Sequence, residues 1–267
     1  MKLPPREVLT DPDQVFLYEH DCRELHNPNP RDFSRLMYVA RYELVLDTIE
    51  RWAPGKQVLD IGSAQGNFSL ALAERGHGVV ALDLRPSFLR YLRLKYERGK
   101  IHCVGASIEA FPFRPNRFDV VLLGEVIEHV AYPERLLRDL ADLLVPGGIL
   151  VLTTPNGERL HTGLPTLADI RSRDDLVPRQ FKPDANGHLF LLTRSELLRL
   201  IENAGLEVTS HEFCCTPWVT GRLMARYVSG LLPIPVRSGL DRITKVLPGI
   251  RRLLADQQLV VARSPQL

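Results

Sequence analysis

"VLDIGSAQGNFSLALA", residues 58–73, joins an apolar run to a glycine turn and then to a helical pattern. A strand, turn and helix start of this kind is the opening unit of a parallel α/β sheet. Glycines at 62 and 66 let the backbone approach a ligand closely, because a Cβ at either position would collide with it. Their spacing is GxxxG, not the GxGxxG of a pyrophosphate-binding turn. Asp60, at the end of the strand, would sit badly beside a pyrophosphate and well beside a ligand that carries an ammonium group.

Beyond this stretch, short apolar runs alternate with helical periods: "GVVALD" and then Pro86 to Glu97, "IHCVG", "FDVVLL" and then Pro133 to Leu144, and "GILVLTT". The alternation predicts a doubly wound, mostly parallel sheet with crossover helices on both faces. Leucines 136, 137, 140, 143 and 144 form one helical stripe, Pro133 suits the first turn, and "VPGG" stops the helix. Upstream, Phe33, Leu36, Met37, Ala40 and Leu44 mark a further amphipathic helix of about 20 residues. Downstream, a helix (Arg194 to Ala204), a strand (Leu206 to Phe213) and a last strand, "QLVVAR" (258–263), bring the strand count to seven. Residues 155–192, with four prolines and three glycines, run beyond ordinary loop length and read as a lid or binding segment. The division expected is an N-terminal helical arm (1–52), a core (53–215 and 256–267) and a helical insertion before the last strand (216–255).

The bulk composition excludes several classes. Charged residues make up 25% of the 267 and the net charge is +2, so no strongly basic nucleic-acid binder is implied. The insertion is the exception, with Arg222, Arg226, Arg237, Arg242, Lys245, Arg251 and Arg252 against a single acid, Asp241. Cys22, Cys103, Cys214 and Cys215 have no CxxC spacing, which argues against a zinc site or a disulfide framework. With no signal-type apolar core at the N-terminus and no long uncharged apolar run, a cytoplasmic setting is expected.

Asp83 ends "GVVALD" 21 residues after Gly62, where an acid can accept hydrogen bonds from two ribose hydroxyls. Leu84 and Ile108 are placed to clamp an adenine ring, and Ser107 to hydrogen-bond its edge. In this order and spacing, "VLDIGSAQG", "ALDLRP", "IEAFPF", "RFDVVLLGEVIEHV", "LLVPGGILVLTTPN" and "GHLFLLTRSELLRLIENAGLEV" resemble the class I S-adenosylmethionine-dependent methyltransferases, in the subgroup of the ubiquinone-biosynthesis O-methyltransferases. The resemblance covers Gln57 to about Phe213 and the final strand. It implies a Rossmann-like fold and S-adenosyl-L-methionine as cofactor. Its methionine part would lie at Gly62, Ser63 and Gly66, its ribose at Asp83 and its adenine at Leu84 and Ile108. Many relatives have Asp where this chain has Ser107, so the adenine amino group would meet a neutral partner here.

"GEVIEHV" (124–130) follows the fourth strand, at the carboxyl end of the sheet. If Glu125 to His129 forms a helical turn, Glu125, Glu128 and His129 share one face and can hold a divalent cation, the oxygen-rich set favouring Mg²⁺ or Mn²⁺ over zinc. His188 is the candidate fourth ligand. This E-x-x-E-H pattern with a distant histidine is similar to the metal site of the small-RNA 3′-terminal 2′-O-methyltransferases and, in part, to that of the ubiquinone O-methyltransferases. Three alternatives stand beside it: Glu125 lining the cofactor pocket, Glu128 capping a helix, and His129 acting as a metal-free general base.

The expected activity is methyl transfer to a hydroxyl of a small-molecule or lipid-like acceptor. An RNA ribose methyltransferase fits less well, since no separate basic RNA module or stacking aromatic cluster is present. A non-catalytic protein that keeps the fold is the third reading. For 218–255, a solvated cover or dimer surface competes with a docking face for an anionic membrane or a carrier-bound acceptor. Tyr18, His20, His26, Tyr38, Arg41 and Trp218 are further candidates for acceptor contact.

Overall fold

Val58, Leu59 and Ile61 are fully buried in the first strand, β1 (Gln57–Ile61), each worth about 1.5–3 kcal/mol relative to exposure. In the computed structural model, which describes residues 1–53, 55–160, 163–181, 187–220 and 232–266, the helix after the turn, α3, spans Asn67–Glu74. It is preceded by α1 (Pro12–Arg23) and α2 (Phe33–Trp52). Then come β2 (Gly78–Asp83), α4 (Pro86–Lys95), β3 (Lys100–Gly105), β4 (Phe118–Gly124), α5 (Pro133–Leu143) and β5 (Leu144–Pro155). The chain closes with α6 (Arg194–Asn203), β6 (Glu207–Cys214), α7 (Pro217–Thr220), α8 (Ile234–Val246), α9 (Pro248–Leu254) and β7 (Gln257–Arg263).

The seven strands lie in the order β3-β2-β1-β4-β5-β7-β6. β1 pairs in parallel with both β2 and β4, and β7 runs antiparallel to β6. This is the doubly wound, mostly parallel sheet expected from the alternating pattern. The order reverses between β1 and β4, and in open sheets of this type a ligand crevice forms outside the carboxyl ends at the reversal. The register Ile61↔Leu82 and Asp83↔Gly105 brings the ends of β1, β2 and β3 to one edge. Gly62, Leu84 and the segment 106–108 therefore leave the sheet side by side.

The contacts divide the chain into two compact units. The first holds Met1–Leu123, Asp142–Val151 and the last two residues; the second holds Gly124–Ala141 and Leu152–Pro265. The first unit contains α1 to α4 and β1 to β3. α6, β6, β7, α8 and α9 belong to the second.

Several expectations are modified. α1 shows no apolar period because two of its three buried residues, Gln14 and Asp21, are polar; Asp11 caps it and Pro12 starts it. In α2 the buried residues are Tyr38, Val45, Leu46, Thr48 and Ile49, while the stripe of Phe33, Leu36, Met37, Ala40 and Leu44 is half-buried. α5 ends at Leu143 and the "VPGG" segment already lies within β5, with Gly147 at φ 76° and Gly148 packed against the carbonyls of Val145, Asp119 and Phe118. The described parts of 155–192 are tied down, with bridges Asn156↔Leu192 and Thr166↔Leu191 and buried Leu167, Leu176 and Leu189 to Leu192. Residues 161–162 and 182–186 of that segment, and 221–231 of the insertion, lie outside the described residues.

Candidate functional site

In the first unit the glycine turn is wound tightly. Gly62, Ala64 and Gly66 have φ values of 66°, 44° and 74°, and the Gly66 amide closes the turn on the Ser63 carbonyl at 2.7 Å. A Cβ on Gly66 would lie 2.3 Å from Leu92 Cγ, so the close neighbour is helix α4. Helix packing and a left-handed φ therefore already require glycine at this position. Ser63 Oγ is buried and has no hydrogen-bond partner among the described residues. A buried hydroxyl in that state calls for a polar ligand atom.

Asp83 is buried, and each of its oxygens is held by backbone. Oδ2 accepts from the Ala64 amide at 3.0 Å and Oδ1 from the Arg85 amide at 3.0 Å. The carboxylate is thus fixed with lone pairs left for a vicinal diol. Burial raises its pKa and these amides oppose the shift. Asp60 is deeper. Burial raises its pKa to about 7, although Ser69 Oγ donates to Oδ2 at 2.5 Å, and the nearby Asp83 adds to the rise. A cationic ligand group would favour its ionised form.

Leu84 is 49% exposed at the end of β2, unusual for a leucine beside a buried acid and fitted to cover an apolar ring. Ile108 is half-buried in the segment after β3. The Ser107 hydroxyl accepts the Glu109 amide at 3.1 Å, which leaves its own hydrogen to donate. These residues fit the cofactor that the sequence resemblance implies: an ammonium, a diol and a purine each meet suitable chemistry.

In the second unit the expected helical turn from Glu125 to His129 does not form. Glu125 has φ 56°, and only Ile127–His129 closes as a 3-10 turn. The Glu125 amide instead extends the strand pairing to the Thr153 carbonyl at 2.9 Å, and its Oε2 accepts from Gln257 Nε2 at 2.8 Å. The three titratable residues therefore do not share a helical face. The set that does converge is Glu128, His129 and His188, whose donor atoms all lie within 4.8 Å of one another. Glu128 is fully buried: Thr154 Oγ1 donates to its Oε2 at 3.0 Å, and His188 Nε2 lies 3.8 Å from its Oε1. The Leu189 amide donates to the Glu128 carbonyl at 2.9 Å, which brings His188 to the site. The His129 and His188 rings meet edge to face at 4.8 Å. Burial, with His129 and Arg159 adding to it, pushes the His188 pKa down to about 4, so its imidazole is neutral and offers a lone pair.

The converging group is one carboxylate and two imidazoles, and Glu125 is not among its members. Two nitrogens and one oxygen suit Zn²⁺, Fe²⁺ or Ni²⁺ better than Mg²⁺.

The methyltransferase-domain family model matches residues 38–211. The chain belongs to the methyltransferase family. As an S-adenosylmethionine-dependent methyltransferase it is 33% identical over 224 residues to a ubiquinone biosynthesis O-methyltransferase of Ruegeria pomeroyi, covering 78% of this chain and 86% of that one. Its fold is similar to a putative sarcosine dimethylglycine methyltransferase of Galdieria sulphuraria, with a TM-score of 0.62, 14% identity and coverage of 96% and 99%. It also resembles an S-adenosylmethionine-dependent methyltransferase of Mesorhizobium loti, with a TM-score of 0.58, 20% identity and coverage of 85% and 99%.

Of the further candidates in this methyltransferase, Tyr38 is buried and accepts from Asn67 Nδ2 at 2.8 Å, a structural contact. Trp218 Nε1 donates to Thr244 Oγ1 at 2.9 Å, linking α7 to α8. Sequence reasoning missed the roles of Asp21, Lys95 and Thr154. All three are polar residues that gain partners only in the folded chain. No helix of the described residues is long and apolar enough to cross a membrane.

Proposed function

We propose that this methyltransferase transfers the methyl group of S-adenosylmethionine to a hydroxyl of a small, lipid-like acceptor. The observation that carries the reading is the convergence of Glu128, His129 and His188. Transfer to an amine or thiolate needs little beyond alignment, whereas a hydroxyl must also lose a proton. The name of the Ruegeria pomeroyi relative, an O-methyltransferase, supports the same chemistry.

The cofactor supplies an electrophilic methyl group on a sulfonium. Asp83 holds its ribose, Asp60 and the turn of Gly62, Ser63 and Gly66 orient its methionine part, and Leu84, Ser107 and Ile108 take its adenine. In the second unit, Thr154 holds the Glu128 carboxyl and so fixes the backbone that carries His129. A divalent cation held by Glu128, His129 and His188 would lower the pKa of a bound hydroxyl. Without one, His129 would act as the base that takes the proton.

The lipid-like character of the acceptor is supported by α8 and α9. Ile243 and Val246 are 57% and 69% exposed, and Leu247, Ile250 and Leu253 are exposed as well. On the same helices Arg242 is exposed, while Arg251 and Arg252 pair with Glu212 and Glu158. Exposed apolar residues on short helices suit a lipid surface. The test is transfer of labelled methyl groups from S-adenosylmethionine into lipid, small-metabolite and RNA fractions. Label in a hydroxyl-bearing lipid or quinol-like fraction supports the proposal, and label confined to RNA or to amines overturns it.

A further inference from the structure

One polar cluster in the first unit has no part in the functions assigned so far. Asp21 of α1 and Lys95 of α4 are both fully buried and form an ion pair at 2.5 Å. Every donor of the ammonium is used: Lys95 Nζ also reaches the Gln65 carbonyl at 3.1 Å and Asn67 Oδ1. Asp21 is equally committed, accepting Asn67 Nδ2 at 2.7 Å on one oxygen and Tyr91 Oη at 2.8 Å on the oxygen that meets Lys95. A buried pair stripped of water contributes little net stability unless such hydrogen bonds complete it, and its usual return is a fixed geometry.

What the pair fixes is the glycine turn. Gln65 and Asn67 flank Gly66, and Ala64 holds a φ of 44°, a conformation that a residue with a Cβ adopts only when its surroundings impose it. Ala64 packs against the apolar cluster of Leu17, Phe88 and Tyr91, and Glu24 accepts from Gln65 Nε2 at 3.0 Å. From that position the Ala64 amide donates to Asp83. One chain of contacts thus runs from α1 and α4 through the turn to the carboxylate assigned to the ribose.

We propose that Asp21 and Lys95 are positioning residues for the cofactor: through the Gln65 carbonyl and Asn67 they hold the turn in the left-handed form that sets Ala64 on Asp83. The proposal rests on the assignment of Asp83 and the turn to S-adenosylmethionine. It makes α1 an element of cofactor affinity although none of its residues is assigned a cofactor contact. An isolated D21N or K95M change leaves one buried group without its partner, so the informative variant is the double replacement D21N/K95M, which removes both charges and keeps the volumes.

The test is a calorimetric cycle with S-adenosylmethionine on wild type, D83A, D21N/K95M and the triple variant, with the thermal midpoint of each recorded. The expected result is affinity lowered about tenfold in D21N/K95M, with D83A costing much less in that background than in wild type, because coupled residues are not additive. Full wild-type affinity in D21N/K95M, or strict additivity with D83A, overturns the proposal. Absence of binding by wild type overturns the cofactor assignment itself, a separate outcome. Should the double variant fail to fold, amide exchange in wild type decides: S-adenosylmethionine must slow exchange in Gln14 to Asp21 of α1 together with the turn, and unaffected α1 amides overturn it.

Discussion

Thr154 Oγ1 donates a 3.0 Å hydrogen bond to Glu128 Oε2, and both residues are fully buried. Thr154 lies near the end of β5 and Glu128 in the turn after β4, so one hydroxyl sets where the Glu128 carboxyl points. Replacing Thr154 by Val keeps the shape and removes the donor. Stability in denaturant titration should fall by about 1–3 kcal/mol, the range for a buried polar group that loses its partner. Turnover should fall with it, more than the cofactor affinity does.

The roles of His129 and His188 separate by chelation. With a cation bound, H129A, H188A and chelator should each abolish turnover, and metal analysis of the purified protein should show about one equivalent that either substitution removes. If chelator leaves turnover intact while H129A abolishes it, His129 is the base and His188 its neighbour.

Gly66 cannot accept even a methyl group. G66A would place a Cβ 2.3 Å from Leu92 Cγ at a φ of 74°, and both the contact and the backbone oppose it. The expected loss is about 1–3 kcal/mol from each cause, read as a lowered thermal midpoint. A G62A variant should act more through cofactor affinity.

Asp60 gives the protein a pH signature. Its pKa in the folded chain is about 7, against an ordinary value of 3.8. Between roughly pH 4 and 7 the unfolded chain has released the proton that the folded chain still holds, so this group makes stability fall as pH rises, and the effect levels above 7. D60N should flatten that slope in denaturant titrations at pH 5, 6 and 7.5. A cofactor ammonium beside Asp60 draws it toward the ionised form, so S-adenosylmethionine should bind more tightly at pH 7 than at pH 5.5, a range over which the ammonium stays charged, and D60N should lose most of the difference.

Much of the fold is legible in the chain because strands buried on both faces read as unbroken apolar runs. "QVLDIG", "GVVALD" and "FDVVLL" are β1, β2 and β4 within a residue, and leucines 136, 137, 140 and 143 of α5 are buried, while Leu144, expected in the same helix, opens β5. α1 was not legible, since its inward face carries the polar Gln14 and Asp21, and Asp21 is satisfied by Lys95, Tyr91 and Asn67 far along the chain. The local part of the candidate site was readable: glycine spacing and an acid 21 residues on place Gly62 and Asp83. The helical turn expected from Glu125 to His129 does not form, and this was not legible because a positive φ at a non-glycine residue leaves no mark in the sequence. The convergence of His188 with Glu128 depends on a backbone hydrogen bond from Leu189, equally invisible in spacing.

The exposed apolar residues of α8 and α9 give a membrane test. V246D/I250D should lower sedimentation with phosphatidylglycerol vesicles relative to wild type. Equal partitioning of both proteins removes the support for a lipid-borne acceptor.

The most direct measurement is calorimetric titration of the protein with S-adenosylmethionine, alongside D83A. The account predicts one saturable site in wild type. In D83A the affinity should fall at least about tenfold, since each hydrogen bond to a charged group is worth about 1.5–3 kcal/mol. No binding by wild type, or equal binding by both proteins, would contradict it.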